Sequence, residues 1–423
     1  MSGHSRVAQR LESPAEWQSR IQTGAETMDW RTRAAWLRLL VSHRWTYVVG
    51  LAGVALSVAT FSFQSLTTGV AAVIGLATGV AGVIGDRRAW TRAKGDLLVH
   101  PAGGRRMQTW GLAGDLARAG YELDRTDPAS VHAPEVNRAL REGADADIEL
   151  LQRKPPERPS GLCSAVILRR HFRSGAVLFN GAKVSQLDDL RLVDGRLQPV
   201  RFRESRYFDG LLTNEFAGLE VRGRGGQQLF RGDSLFMEDG KVLSLAQSSA
   251  SNAVGVSTLA LTRDNVLVIS RQGERSAVSA GLLAPSGSGS ADWADARGTK
   301  SLRAFLVRVA ERELLEECGL DAATTRSTQV LAYARLLHRG GKPEFYCFTW
   351  LGVPYAAISV RRQERGLMFE HEALRIDEPQ AFRADMAAFF RRHRASLSPV
   401  LRSHAHFLDE ALEAGWSPVK PDS

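Results

Sequence analysis

The stretch Arg312-Glu313-Leu314-Leu315-Glu316-Glu317-Cys318-Gly319-Leu320 carries most of the information in this chain. Leu306, Val309, Ala310, Leu314 and Leu315 recur at helical spacing, which predicts a helix ending near Cys318. Gly319 suits a left-handed C-terminal cap, and Leu320 can fold back on the last turn. Glu313, Glu316 and Glu317 stand at i, i+3 and i+4 and crowd one side of that helix. Like charges at this spacing repel by roughly 0.2–0.5 kcal/mol per pair. A divalent cation reverses the sign of that interaction, and hard oxygen donors with open positions suit Mg²⁺ or Mn²⁺. Arg312, four residues before Glu316, is placed to hold it. A solvated, glycine-capped helix explains any two of these residues; a chance match to the whole string is on the order of 1 in 10,000.

The chain has 423 residues, a formal net charge of +9 and three cysteines. That length allows more than one domain. Cys163, Cys318 and Cys347 are widely spaced and odd in number, which argues against a disulfide framework and for a reducing compartment. No Cys/His spacing of metal-binding type occurs. His404 and His406, in a C-terminal helical pattern, read as packing or surface residues.

Residues 1–44 form a polar, then juxtamembrane segment without a secretory signal. Trp30, Ala34, Leu37 and Val41 share a helical face among arginines, the pattern of an interfacial helix; a soluble helix is the alternative. From Trp45 to Gly85 the only ionisable side chain is Tyr47. Two apolar runs, broken near Gln64–Thr68, are each long enough to span a bilayer, which predicts a two-helix transmembrane hairpin over 45–85. A buried soluble hairpin and a single signal anchor are the alternatives. Arginines and lysines flank both ends, from Arg31 to Arg44 and from Arg87 to Lys94, so both termini are expected on the cytoplasmic side of a cell membrane. Gly75 and Gly79 give the second span a close-packing face, a candidate for self-association into homo-oligomers.

Residues 86–161 read as a linker with short helices near Leu112–Ala119 and Glu135–Arg141, ending in the stiff stretch Lys154–Gly161. Residues 162–250 read as a strand-rich extension, with strands at Val166–Leu168, Ala176–Phe179 and Val200–Phe202 and hairpin turns at Asp194-Gly195 and Asp239-Gly240. Arg201 and Arg203 share one strand face and are candidates to meet a phosphate-bearing ligand; a solvated strand face is the alternative. Residues 251–423 form the last unit: a hairpin of Val254–Leu261 and Val266–Ser270, a flexible loop from Ala284 through the Gly-Ser run, the Glu-rich helix, strands at Gln329–Leu337 and Glu344–Leu351, and closing helices at Ala381–Arg392 and Ser398–Ala414.

Gly298 together with Arg312–Leu320 resembles the signature of the Nudix hydrolases, G-x5-E-x7-R-E-U-x-E-E-x-G-U, where U is apolar. The first glutamate of that pattern is replaced by Ala304. The resemblance implies an α/β Nudix-like fold, a mixed sheet between helices, over about residues 251–420. It implies Mg²⁺ or Mn²⁺ held by Glu313, Glu316 and Glu317, with Glu313 and Arg312 in catalytic roles and Gly298 at the substrate. It implies a phosphoanhydride substrate of the nucleoside-diphosphate class. Family members often add an acidic residue after the box, for which Glu364, Glu370 and Glu372 are candidates. Ala304 removes a carboxylate and leaves open whether a nucleotide is hydrolysed or only bound. A two-span hairpin before such a domain resembles membrane effectors of bacterial antiphage systems (CBASS), which bind a cyclic oligonucleotide made by a partner nucleotidyltransferase and then damage the membrane. The alternative is a membrane-tethered pyrophosphohydrolase. Neither reading expects a DNA or RNA duplex as partner.

Overall fold

The computed structural model describes residues 97–101, 110–152, 180–223, 225–272, 281–320, 324–358, 368–373 and 379–418. The expected hairpin at 45–85, the Lys154–Gly161 linker, the strands at Val166–Leu168 and Ala176–Phe179, and Glu364 lie outside the described residues. No helix among the described residues is long and apolar enough to cross a membrane.

In chain order, strands β1 (Glu122–Asp124) and β2 (Ser130–His132) precede helix α1 (Pro134–Arg141). Strands β3 (Ile148–Leu151), β4 (Ala182–Gln186) and β5 (Val200–Arg206) follow. Next come β6 (Gly255–Leu261), β7 (Val266–Arg271), β8 (Leu283–Ala284), β9 (Gly287–Ser290), the short helix α2 (Trp293–Ala296) and the long helix α3 (Leu302–Cys318). Strands β10 (Thr325–Leu336), β11 (Lys342–Leu351) and β12 (Met368–Ala373) and helices α4 (Pro379–Arg392) and α5 (Pro399–Glu413) close the fold.

A nine-stranded mixed sheet runs β8-β7-β6-β11-β10-β2-β1, with β9 paired to β6 and β12 to β7. Its centre is β6, buried at every position and paired in parallel with β11 from Gly255↔Glu344 to Leu261↔Trp350. The other edge of β6 is shared. Its first half pairs with β9, from Gly255↔Ser290 to Thr258↔Gly287, and its second half with β7 at Ala260↔Val268 and Leu261↔Leu267. Alternation along β6 and β7 sends side chains to opposite faces. Ala260 and Val268 meet Leu314 and Cys318 of α3. Leu259, Leu261, Leu267 and Ile269 meet Phe382 and Met386 of α4 and Leu401 of α5. The sheet is therefore covered by α3 on one face and by α4 and α5 on the other.

Local signals hold where chain neighbours decide the conformation. Asp194-Gly195 and Asp239-Gly240 both carry positive φ at each residue, as a two-residue hairpin turn requires. Gly319 has φ 65° and its N–H caps the Leu315 carbonyl. Cys318 and Cys347 are free and buried.

Three expectations are corrected. The Gly-Ser run after Ala284 is not a loop: Gly287–Ser290 is strand β9, held between β6 and α3. Gly287 is required by close approach, since a Cβ there would lie 2.6 Å from the Leu314 backbone. Residues 110–152 are likewise not a linker. β2 pairs with β10 at Arg335↔Val131 and β1 pairs with β2, extending the sheet. Val136 and Leu140 of α1 are buried in the same core as Phe305 and Val309 of α3. Nor does the chain part at 251, because Val254 N–H donates to the Val184 carbonyl and Val184 N–H to the Ala291 carbonyl.

One buried ion pair ties these regions together. Arg335 of β10 reaches Asp189 at 3.1 Å, and both side chains are fully buried. Arg335 also donates to the carbonyls of Leu243 and Gly341, while Leu245 N–H donates to Asp189. Removing one member strands the other charge in the core, a loss of roughly 3–5 kcal/mol. Asp189→Ala should lower the unfolding free energy in urea by that amount, and Asp189→Leu combined with Arg335→Met should recover most of it. A single-variant loss of under about 1 kcal/mol would place the pair among surface bridges.

Candidate functional site

Helix α3 begins at Ser301, whose side chain accepts from Ala304 N–H. Asp145, from the N-terminal region, accepts from Arg303 N–H at 2.8 Å and from the Ser301 hydroxyl. Phe202 of β5 packs on Phe305 with ring centroids 5.2 Å apart. These contacts fix the first half of the helix, so its last two turns are presented against β9 and α2.

There, Arg312 is the hub. Its guanidinium donates to both Asp295 oxygens (Nε to Oδ1 at 3.0 Å, Nη2 to Oδ2 at 2.9 Å) and to Glu316 Oε2 at 3.1 Å. It lies 3.0 Å from Glu313 Oε1 and 3.8 Å from Asp292 Oδ2. The expected hold of Arg312 on Glu316 is present. Asp292 and Asp295 were not singled out in the sequence, although they form a capping box on α2, with Asp292 N–H donating to Asp295 Oδ2 at 2.8 Å. Lys183 of β4 completes the cluster, donating to Asp292 Oδ1 at 2.6 Å and to the Ser290 carbonyl at 3.1 Å.

The three helix glutamates differ in environment. Glu317 is buried; Ser288 N–H donates to its Oε1 at 3.3 Å and the Ser270 hydroxyl to its Oε2 at 3.5 Å. Glu313 packs against Gly289, where a Cβ would sit 2.2 Å from its carboxyl group. Glu316 is the most open of the three, with its side chain 32% exposed. Burial pushes the Glu316 carboxyl up to about 7, with Glu313 and Asp292 adding repulsion and Arg312 opposing. Burial also raises Glu313, against the pull of Arg312 and Lys183. Burial disfavours the Arg312 charge, but Glu313, Asp295 and Glu316 outweigh it and hold the guanidinium ionised.

A second lysine lies beneath β9. Lys342 is buried, reaches Ser290 Oγ at 3.3 Å and stands 3.6 Å from Glu344, whose other oxygen accepts from Ser257 at 2.7 Å. Burial lowers the Lys342 ammonium to about 8. Gly255 makes room for this pair, since a Cβ there would overlap Glu344.

The other candidates lie elsewhere. Arg201 makes a two-pronged bond to Asp188, at 2.8 and 2.7 Å. It shares with Arg203 the face of β5 opposite Phe202, and Phe202 is the residue facing α3, so the two arginines are not brought to the Arg312 cluster. Gly298 has φ 83° in the turn between α2 and α3, with open space where its Cβ would be. Ala304 is exposed in the first turn of α3, about 12 Å along the axis from Arg312. Glu370 and Glu372 lie on β12, paired with Ile269 and Leu267. His404 is fully buried against Tyr346, and burial lowers its imidazole to about 3, while His406 Nε2 lies 3.2 Å from Glu410 Oε1.

Among the described residues no three His, Cys, Asp or Glu side chains already converge as a metal-ligand group. The donor chemistry nonetheless fits a hard cation. Four carboxylates (Asp292, Asp295, Glu313 and Glu316) face two cations, Arg312 and Lys183, and Glu317 stands on the same helix against β9.

No family model matches the chain, and no curated protein matches it. Among solved structures, DR0079 from Deinococcus radiodurans matches with 17% identity over 36% of this chain and 81% of its own, at a TM-score of 0.24. A Nudix hydrolase from M. smegmatis, RenU, matches with 16% identity over 38% of this chain and 86% of its own, at a TM-score of 0.23.

The raised carboxyls set a pH dependence. With its folded-state pKa near 7 against an ordinary 4.5, Glu316 keeps a proton that the unfolded chain has lost. Stability without divalent cations should therefore fall as pH rises from about 4.5 to about 7 and level off above. Glu316→Gln should flatten part of that decline in melting temperature across the window. An unchanged slope would remove Glu316 as its source.

Proposed function

We propose that residues 110–418 form a Nudix-like nucleotide-recognition module. Glu313 and Glu316, with a divalent cation, hold the phosphates of a nucleoside-diphosphate or cyclic-oligonucleotide compound. The excess of carboxylates around Arg312 carries this reading, because a divalent cation relieves their repulsion and keeps free positions for phosphate oxygens. When bound, Mg²⁺ would supply charge neutralisation to the phosphates. Arg312 fixes the direction of Glu316, and Asp292 and Asp295 hold Arg312 in turn. Recognition is favoured over rapid turnover by two observations. Glu317 is committed to Ser288 and Ser270, and Ala304 supplies no carboxylate.

A second reading, hydrolysis of a phosphoanhydride bond, is favoured by Glu313. It is half-buried and its pKa is raised by that burial, as suits a group that takes a proton from water. The two readings separate in one experiment. The full chain in detergent is titrated with linear and cyclic nucleotides, with Mg²⁺ and with EDTA, and binding and cleavage are scored separately. The module predicts Mg²⁺-dependent binding that weakens at least about tenfold in Glu313→Gln/Glu316→Gln, with little cleavage. Steady Mg²⁺-dependent cleavage of a diphosphate compound would establish the hydrolase. Binding indifferent to both EDTA and the substitutions would sink both readings.

The membrane role is proposed from the sequence alone. The charge-free run at 45–85 supports a hairpin in the cell membrane, and the Gly75/Gly79 face supports its packing against other spans. Joined to a nucleotide sensor, such a hairpin is the working end of an antiphage effector. Gly75→Leu with Gly79→Leu should leave nucleotide binding intact and abolish ligand-triggered dye entry into cells that co-express a partner nucleotidyltransferase. If the wild type never admits dye, the hairpin is only an anchor.

A further inference from the structure

On the sheet face opposite α3, helices α4 and α5 frame a cleft of about 430 Å³. Ligand sites commonly measure ~300–1,000 Å³. Its floor is apolar, built from Met386, Phe390, Leu397, Leu408 and Leu412. Its walls carry Arg383, Arg391, Arg394 and Arg402, with Asp127 and Asp409 as the only acids. Arg383 is neutralised by Asp409 and Glu413. The other three arginines are not balanced in the same way. Arg391 and Arg394 are exposed and have no ion pair among the described residues. Among the described residues Arg402 has only the exposed Asp127, 3.4 Å away, and its buried Nε has no acceptor.

The placement of Arg402 is also unfavourable for the helix that carries it. It is the fourth residue of α5, beside the positive end of the helix dipole, where a cation destabilises. Arg391, in the last turn of α4, has an ordinary explanation as a complement to that helix's C-terminus. Arg402 does not, and Arg394 lies beyond the helix end. The junction of α4 and α5 thus gathers three guanidinium groups over an apolar floor. Guanidinium groups match phosphate oxygens in geometry and charge.

We propose that this cleft is a second binding site, for a phosphate monoester whose phosphate meets Arg391, Arg394 and Arg402 and whose apolar body lies on Phe390 and Leu412. It is separate from the carboxylate face and needs no divalent cation. A nucleotide and a lipid headgroup both offer this chemistry, so the probes distinguish them. Full-length protein in detergent with EDTA is titrated by calorimetry with AMP, glycerol 3-phosphate, inorganic phosphate and adenosine. AMP should bind more tightly than phosphate or adenosine, and Arg391→Glu/Arg394→Glu, both at exposed positions, should weaken it at least about tenfold. Glu313→Gln/Glu316→Gln should leave it unchanged. Preference for glycerol 3-phosphate with the same arginine dependence would support the site and assign it to a lipid headgroup. The proposal is overturned if no phosphate ester binds, if binding survives the arginine reversals, or if it disappears only in the glutamate variants.

Discussion

Strand β9 passes so close to helix α3 that Gly287 has no room for a side chain, and the Glu313 carboxyl takes the space beside Gly289. That absence lets β9 occupy the first half of the β6 edge while α3 lies directly over it. Ser288 then offers its N–H to Glu317, and the Glu313 carboxyl rests where a Cβ at Gly289 would be. Ser290, at the end of the same strand, receives Lys183 on its carbonyl and Lys342 on its hydroxyl. The spacing between strand and helix therefore sets which glutamate is buried as a brace and which remain open to a ligand.

Around that contact, charge is arranged in a chain. Lys183 holds Asp292, Asp292 and Asp295 face Arg312, and Arg312 faces Glu313 and Glu316. Every link but the 3.8 Å Asp292–Arg312 approach is within hydrogen-bond distance, and all are partly shielded from water, so the members polarise one another more strongly than exposed pairs would. A divalent cation bound as proposed would compete with Arg312 for Glu316, while the Arg312–Asp295 pair would hold the guanidinium in place.

The helix, its glycine cap and the two Asp-Gly hairpins were legible in the sequence because neighbouring residues determine them. Arg312 and the glutamates were legible because a helix converts spacing into a shared face. Lys183 and the aspartates were not, because only the folded chain brings them to Arg312. β9 read as a loop because glycine and serine have little strand preference, and its pairing is imposed by β6 and α3. The edge strands at 122–132 are three residues each, too short to show alternation, so their segment read as a linker. Arg201 and Arg203 were rightly placed on one strand face, but nothing local reveals that the opposite face is the one turned to the helix.

The pairing of β2 with β10 joins Val131 to Arg335, about 200 residues later in the chain. At about 5–20 residues per second, a ribosome needs roughly 10–40 s to cover that interval. Until then α1 and the edge strands have no sheet to join, and Asp145 has no helix to cap. The topology is thus one of high contact order, in which an early-made segment waits for a late-made one. Val136 and Leu140 remain uncovered through that delay, and a chaperone that shields apolar surface during synthesis would act on this stretch first.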